Sequence, residues 1–127
     1  MNQAPKVWAI TLNWNGRDDT LACLASLQAL EYPNYEVVVV DNGSTDGSVP
    51  AIRRAFPGVS IVENGANLGY AHGFNAGLQF AFEHGADYFL ILNNDTVIDP
   101  HALTELVRVA EQDDAIGQCA GGQTEAF

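Results

Sequence analysis

Residues 88–100 read Tyr88-Phe-Leu-Ile-Leu-Asn-Asn-Asp95-Thr-Val-Ile-Asp-Pro100. Tyr88 to Leu92 is an apolar run of strand length without alternation, the pattern of a strand covered by helices on both faces. The run stops at three polar residues. A helix start follows, with Asp99 suited to the N-cap and Pro100 to the first helical position. Asn93, Asn94 and Asp95 are therefore expected at the carboxyl end of a buried parallel strand, where open α/β sheets bind ligands. In an extended chain Asn93 and Asp95 point to one side and Asn94 to the other. Two side-chain oxygens aimed together suit a hard cation, and a cation suits phosphates. A polar loop that only caps backbone groups explains the same residues equally well.

Working outward, the 127 residues are enough for one domain, with a hydrophobic fraction of 47% that sustains a packed core. Sixteen acidic against five basic residues give a formal charge of −11. That balance argues against nucleic acid, whose phosphates need clustered Lys and Arg, and against a basic patch docking on anionic lipid. A phosphate-bearing ligand would need backbone amides or a bound cation. Cys23 and Cys119 lack metal-ligand spacing and are expected as free, half-buried thiols of a reducing compartment. With no signal-peptide pattern and no apolar run of about 18 residues, the segment reads as cytoplasmic. A full-length protein could place it at the inner face of the membrane.

Upstream, Lys6 to Leu12 is a first strand, ending in Asn13-Trp14-Asn15-Gly16. Leu21, Leu24, Leu27 and Leu30 then follow at helical spacing. Tyr35 to Val40 is a β-branched second strand that runs into Asp41-Asn42-Gly43-Ser44-Thr45-Asp46-Gly47-Ser48, where Ser44 and Asp46 are expected to cap a short helix over 49–56. Val59 to Val62 is a third strand. A long helix over 70–83 is expected to present Ala71, Phe74, Leu78, Ala81 and Phe82 to the core, with Gly85 ending it. Residues 115–120 read as a last strand or a tail. Strand and helix alternate throughout, which predicts a three-layer α/β/α sandwich with a mostly parallel sheet. The four polar loops after its strands then share one rim. No G-x-G-x-x-G follows the first strand and no P-loop is present, so the usual dinucleotide and nucleotide cradles are excluded.

Four motifs occur in order: Thr11-Leu-Asn-Trp-Asn-Gly16, Val39-Val-Asp-Asn-Gly-Ser-Thr-Asp-Gly-Ser48, Asn67-Leu-Gly-Tyr-Ala-His-Gly-Phe-Asn-Ala-Gly77 and Leu92-Asn-Asn-Asp95. Together they resemble the inverting family 2 glycosyltransferases of the GT-A fold. The Asn-Trp-Asn-Gly and Asn-Asn-Asp variants are most similar to the rhamnosyltransferase-type branch, which acts in cell-envelope polysaccharide assembly. The match runs from about Val7 to Val107. The resemblance implies that the chain, as one domain over 1–127, is the nucleotide-sugar-binding half of such an enzyme. It implies that Asp41 contacts the base or ribose, that Thr11 and Asn13 line the base pocket, and that Asn67 and Gly69 lie along the nucleotide. Asn93 and Asp95 match the first and last positions of the family's Asp-x-Asp motif. Asp95 would then hold the Mg²⁺ or Mn²⁺ that bridges the diphosphate, while Asn at the first position departs from the pattern.

The implied reaction moves a sugar from a nucleotide-diphosphate donor to a saccharide or lipid-linked acceptor. The family's general base lies well downstream of Asp95, and none of the later acids here sits in a matching motif. The chain alone is therefore expected to bind nucleotide weakly, to transfer sugar negligibly, and to self-associate as a two-fold dimer through the sheet edge near 115–120. The alternative is a non-catalytic nucleotide-sugar-binding module, or an inactive fragment, acting through a partner. Trp14 is expected to pack, Asn75 to satisfy a buried backbone group, and His72 and His101 to stand apart from any ligand set.

Overall fold

A computed structural model describes residues 4–112 in full, together with the backbone of 119–121 and 124–126. The elements run β1 (Val7–Asn13), α1 (Arg17–Gln28), β2 (Tyr35–Asp41), α2 (Ser48–Ala55), β3 (Ser60–Glu63), α3 (Tyr70–Glu83), β4 (Tyr88–Leu92), α4 (Ala102–Gln112), β5 (Cys119–Gly121) and β6 (Thr124–Ala126). The sheet order is β3-β2-β1-β4-β6-β5. The first four strands in that order pair in parallel, and β6 joins β4 and β5 antiparallel. The mostly parallel α/β sheet is thus as the sequence predicts. A strand does form at 119–121, while residues 115–118 lie outside the described part.

The apolar runs explain the layers. Alternate strand residues point to opposite faces, and both faces are covered, so no polar alternation appears. Val7, Ala9, Val37, Val39, Leu90 and Leu92 face α1, α2 and α4, against Leu24, Leu27, Ile52, Leu103 and Val107. Trp8, Ile10, Val38 and Val40 face α3, against Phe74 and Ala81. Each fully buried valine, leucine or isoleucine among them contributes about 1.5–3 kcal/mol relative to exposure.

Two features of α3 differ from the expectation. Phe82 is 70% exposed and Ala71 is exposed, while Gly73 and Gly77 are buried. The helix meets the sheet through a glycine stripe because the backbone comes too close for side chains. A Cβ on Gly77 would stand 2.5 Å from Val40 Cγ2 and 2.8 Å from Ile10 Cγ2. Gly85 ends the helix as expected, at φ 84°, with Ala86 N–H donating to Ala81 O and Gly85 N–H to Phe82 O. Asp99 caps the turn into α4, its carboxylate accepting from His101 N–H at 2.8 Å.

Register sets the site. Asn13 pairs with Asp41 and Asp41 with Glu63, so these three stand level at the carboxyl end of the sheet. Thr11 pairs with Leu92, which places Asn93–Asp95 just beyond the same end. No helix among the described residues is long and apolar enough to cross a membrane.

Candidate functional site

The rim residues separate into a buried floor and an exposed edge. Thr11 and Asn13 are 0% exposed, and Asp41 is 3% exposed. The Thr11 hydroxyl donates to Leu92 O at 3.0 Å. The Asn13 amide donates to Asp41 Oδ1 at 2.8 Å and to Ser44 Oγ at 3.0 Å, and its Oδ1 accepts from the Thr20 hydroxyl at 2.6 Å. Asp41 also accepts from the Ser44 hydroxyl at 2.7 Å on Oδ1 and from Ser44 N–H at 2.9 Å on Oδ2. Buried polar atoms must be paired, and every one here is. Thr11 and Asn13, expected to line the base pocket, are buried and support β4 and Asp41 from beneath. Oδ2 of Asp41, with a single donor, keeps acceptor capacity.

Ser44 does not cap the second helix; its hydroxyl accepts from Asn15 N–H at 2.9 Å and ties the first two loops together. Asp46 does cap, accepting from Ser48 N–H at 3.0 Å and from Arg17 N–H at 3.1 Å at the start of α1. These bonds, that from the Ser48 hydroxyl foremost, hold its carboxyl below the usual range.

The exposed edge is Asn67, Gly69, Asn93 and Asp95. Asn67 Oδ1 accepts from Gly69 N–H at 2.9 Å and from Asn42 Nδ2 at 3.2 Å. Asn42, almost fully buried, also donates to Gly69 O and accepts from Asn64 Nδ2, so it anchors the loop leading to α3. Asn42 was unassigned by sequence because an Asn after an Asp in a Gly-containing loop reads first as turn chemistry. Tyr70 at the start of α3 donates to Asn93 Oδ1 at 2.8 Å. Asn94 turns the other way and donates to Thr20 Oγ1 at 3.1 Å. The chain does not stay extended here: Thr96 N–H donates to Asn93 O at 3.0 Å and closes a turn. Asn93 and Asn94 still diverge as predicted. The Asp95 carboxylate accepts no hydrogen bond and joins no ion pair among the described residues.

That free carboxylate frames the fit of a divalent ion. No three His, Cys, Asp or Glu side chains cluster to cage one among the described residues. A lone exposed carboxylate suits an ion whose other positions are filled by phosphate oxygens and water, the habit of Mg²⁺. His101 pairs with Glu31 at 3.2 Å and His72 is exposed, so neither joins the edge. Trp14 is 52% exposed rather than packed, and Asn75 is exposed and bonds no backbone group among the described residues.

Larger clefts lie elsewhere. One of about 740 Å³ opens at the amino ends of the strands, by Lys6, Asp87 and Glu111. Another of about 830 Å³ runs along α3 between Leu78, Phe82, Phe89 and Ile91. The rim carries about 300 Å³ around Asn15–Asp19 and Asp46. Volume alone would favour the first two, yet convergent polar groups at the carboxyl end of a parallel sheet favour the rim.

Cys23, expected half-buried, is fully buried beneath the rim. Burial pushes its thiol up to about 11; the neighbouring Thr11 hydroxyl opposes this and the charge of Asp95 adds to it. A thiol whose folded pKa exceeds its unfolded one stabilises fully below the unfolded value and loses that contribution as pH rises through the folded one. The domain should thus lose on the order of 2 kcal/mol between pH 9 and 11. Denaturant titration of the protein beside Cys23→Ala checks this, and parallel pH profiles for the two would refute it.

The match to known proteins is broad. The model of "Glycosyl transferase family 2" matches residues 8–126. An uncharacterised glycosyltransferase of Haemophilus influenzae is 26% identical over 119 residues, covering 91% of this chain and 36% of that protein. The N-acetylglucosaminyl-diphospho-decaprenol L-rhamnosyltransferase of Mycobacterium tuberculosis is 31% identical over 97 residues, covering 70% and 32%. Among solved structures, the mannosyltransferase PcManGT of Pyrobaculum calidifontis, in complex with GDP-Man and Mn²⁺, superposes with a TM-score of 0.85 at 24% identity, over 98% of this chain and 45% of that one. TarS 1–349 of S. aureus with UDP-GlcNAc gives 0.72 at 24% identity, over 84% and 31%. The chain spans about a third of the length of these curated relatives.

Proposed function

The chain belongs to glycosyl transferase family 2, and from that premise we propose that it holds the nucleotide-diphosphate sugar for a metal-dependent transfer to a saccharide or lipid-linked acceptor. The observation that carries this reading is the unpaired Asp95 carboxylate on the same rim as the buried, braced Asp41. Asp41 receives the base or ribose through Oδ2, and Asn67, Gly69 and Asn93 line the path toward the diphosphate. Thr11 and Asn13 keep that floor rigid. Asp95 would hold the Mg²⁺ or Mn²⁺, which would supply charge stabilisation for a leaving diphosphate. Preorganised oxygens and a fixed turn spare the site reorganisation during the reaction. Acidic rather than basic surroundings are compatible with an anionic donor only because the cation intervenes. No residue of the chain is assigned as general base. The relatives bearing GDP-Man and UDP-GlcNAc support a nucleotide-sugar and leave base and sugar open.

Calorimetric titration with GDP, UDP and dTDP, each with and without Mn²⁺, tests the reading. At least one diphosphate should bind more tightly with Mn²⁺; failure of all would overturn it. An assay of nucleoside diphosphate release with and without acceptor separates an enzyme from a passive binding module. The same reading includes a two-fold dimer through the sheet edge, which light scattering at micromolar concentration would contradict by showing a clean monomer.

Asp41→Ala should weaken metal-free nucleoside binding by about 1–3 kcal/mol, the cost of a lost buried polar contact. It should also lower stability, since Asn13 and Ser44 lose their acceptor. Equal losses on nucleoside and on pyrophosphate would count against a base-contact role.

A further inference from the structure

A chain of four side chains crosses beneath the rim from β2 to the turn after β4. Asp41 accepts from the Ser44 hydroxyl and backbone N–H, and Asn13 presents its NH₂ to the same carboxyl at 2.8 Å. The Asn13 carbonyl then faces the other way and accepts from Thr20 at 2.6 Å. A hydroxyl has one proton, so Thr20, having donated it, can only accept from its next neighbour, Asn94 Nδ2 at 3.1 Å. The acceptor at one end thus sets the direction of every bond as far as the turn after β4. Thr20 is 0% exposed on α1, outside every motif of the rim. Neighbouring hydroxyl and amide bonds at this depth reinforce one another.

We propose that Thr20 is a positioning residue: its hydroxyl transmits the orientation of Asp41 to Asn94 and so holds the Asn93–Asp95 turn in register with the nucleoside end of the donor. The inference rests on the donor-binding reading above. Partners that orient a metal's ligands are typically worth about 10–100-fold in affinity for it. The quantity to measure is the ratio of nucleoside diphosphate affinities with and without Mn²⁺, using the diphosphate the unmodified chain prefers.

Thr20→Val keeps the shape and removes the hydroxyl. It should reduce that ratio about tenfold, while Thr20→Ser restores it to within about twofold because the hydroxyl returns. Asn94→Ala breaks the same chain at a partly exposed residue and should reproduce the loss. The double variant Thr20→Val with Asn94→Ala should add nothing further, as expected of residues acting in one network. A merely structural threonine would lower the melting temperature and leave the ratio untouched. An unchanged ratio in folded Thr20→Val overturns the proposal. If that variant does not fold, an unchanged ratio in Asn94→Ala does so. Absence of any Mn²⁺ effect in the unmodified chain is a different result; it removes the donor-binding reading, and the proposal with it.

Discussion

Gly77→Val should cost the domain about 3 kcal/mol, a large share of the roughly 5–15 kcal/mol that holds a domain folded. The first added carbon would sit 2.5 Å from Val40 Cγ2 and 2.8 Å from Ile10 Cγ2. Both belong to fully buried residues on two adjacent interior strands, which are themselves pinned by parallel pairing on either side. Both side chains are β-branched and therefore stiff at χ1, which limits how far they can retreat. The helix must therefore lift off the sheet, which opens the second core cluster around Trp8 and Phe74. Gly77→Ala should fall between, because alanine regains about 1 kcal/mol of helix propensity against a smaller overlap. Gly58→Ala, where nothing lies within 4 Å, is the control and should be neutral. Urea denaturation of the three variants checks the order. A Gly77→Val protein as stable as the parent would show that the helix rides higher on the sheet.

The contrast between Gly77 and Asn13 shows which parts of this molecule were legible. Uninterrupted apolar runs announced buried parallel strands, and the polar residues ending each run announced a shared rim. Family 2 motifs then named the fold, and the sheet order and register agree with it. Periodicity failed where geometry depends on a missing side chain. Counting apolar residues put Phe82 on the core face, whereas close approach of α3 to Val40 made glycine the contact residue. Polar residues at strand ends were legible as a group and not singly. Asn13 and Asn93 read alike in sequence, yet the first is walled in by partners 28 and 7 residues away and the second reaches Tyr70 across the rim. Hydrogen-bond partners distant in sequence leave no local pattern, which is why Thr20 and Asn42 went unassigned.

Asp95→Ala should abolish the effect of Mn²⁺ on nucleoside diphosphate binding and leave the fold intact. The two halves of that expectation have separate grounds. Asp95 is exposed and accepts no hydrogen bond among the described residues, so its removal orphans no buried group and surface changes of that kind shift stability by about 0.5 kcal/mol or less. On the proposed reading its carboxylate is the strong ligand of the turn, and no three His, Cys, Asp or Glu side chains cluster elsewhere among the described residues. Loss of a sole charged ligand should lower the Mn²⁺-dependent affinity by about 100-fold, equivalent to about 2.8 kcal/mol. Asp95→Asn should fall nearly as far, since the charge rather than the shape attracts the cation. Nucleoside binding without metal should be unchanged, which separates this variant from Asp41→Ala. A second readout comes from Cys23, whose raised pKa owes part of its shift to the Asp95 charge. Removing that charge should lower the thiol's pKa, and faster alkylation at alkaline pH would report it without any ligand. Should Mn²⁺ dependence survive in Asp95→Ala while the thiol responds, the carboxylate stands where described and the cation is held elsewhere.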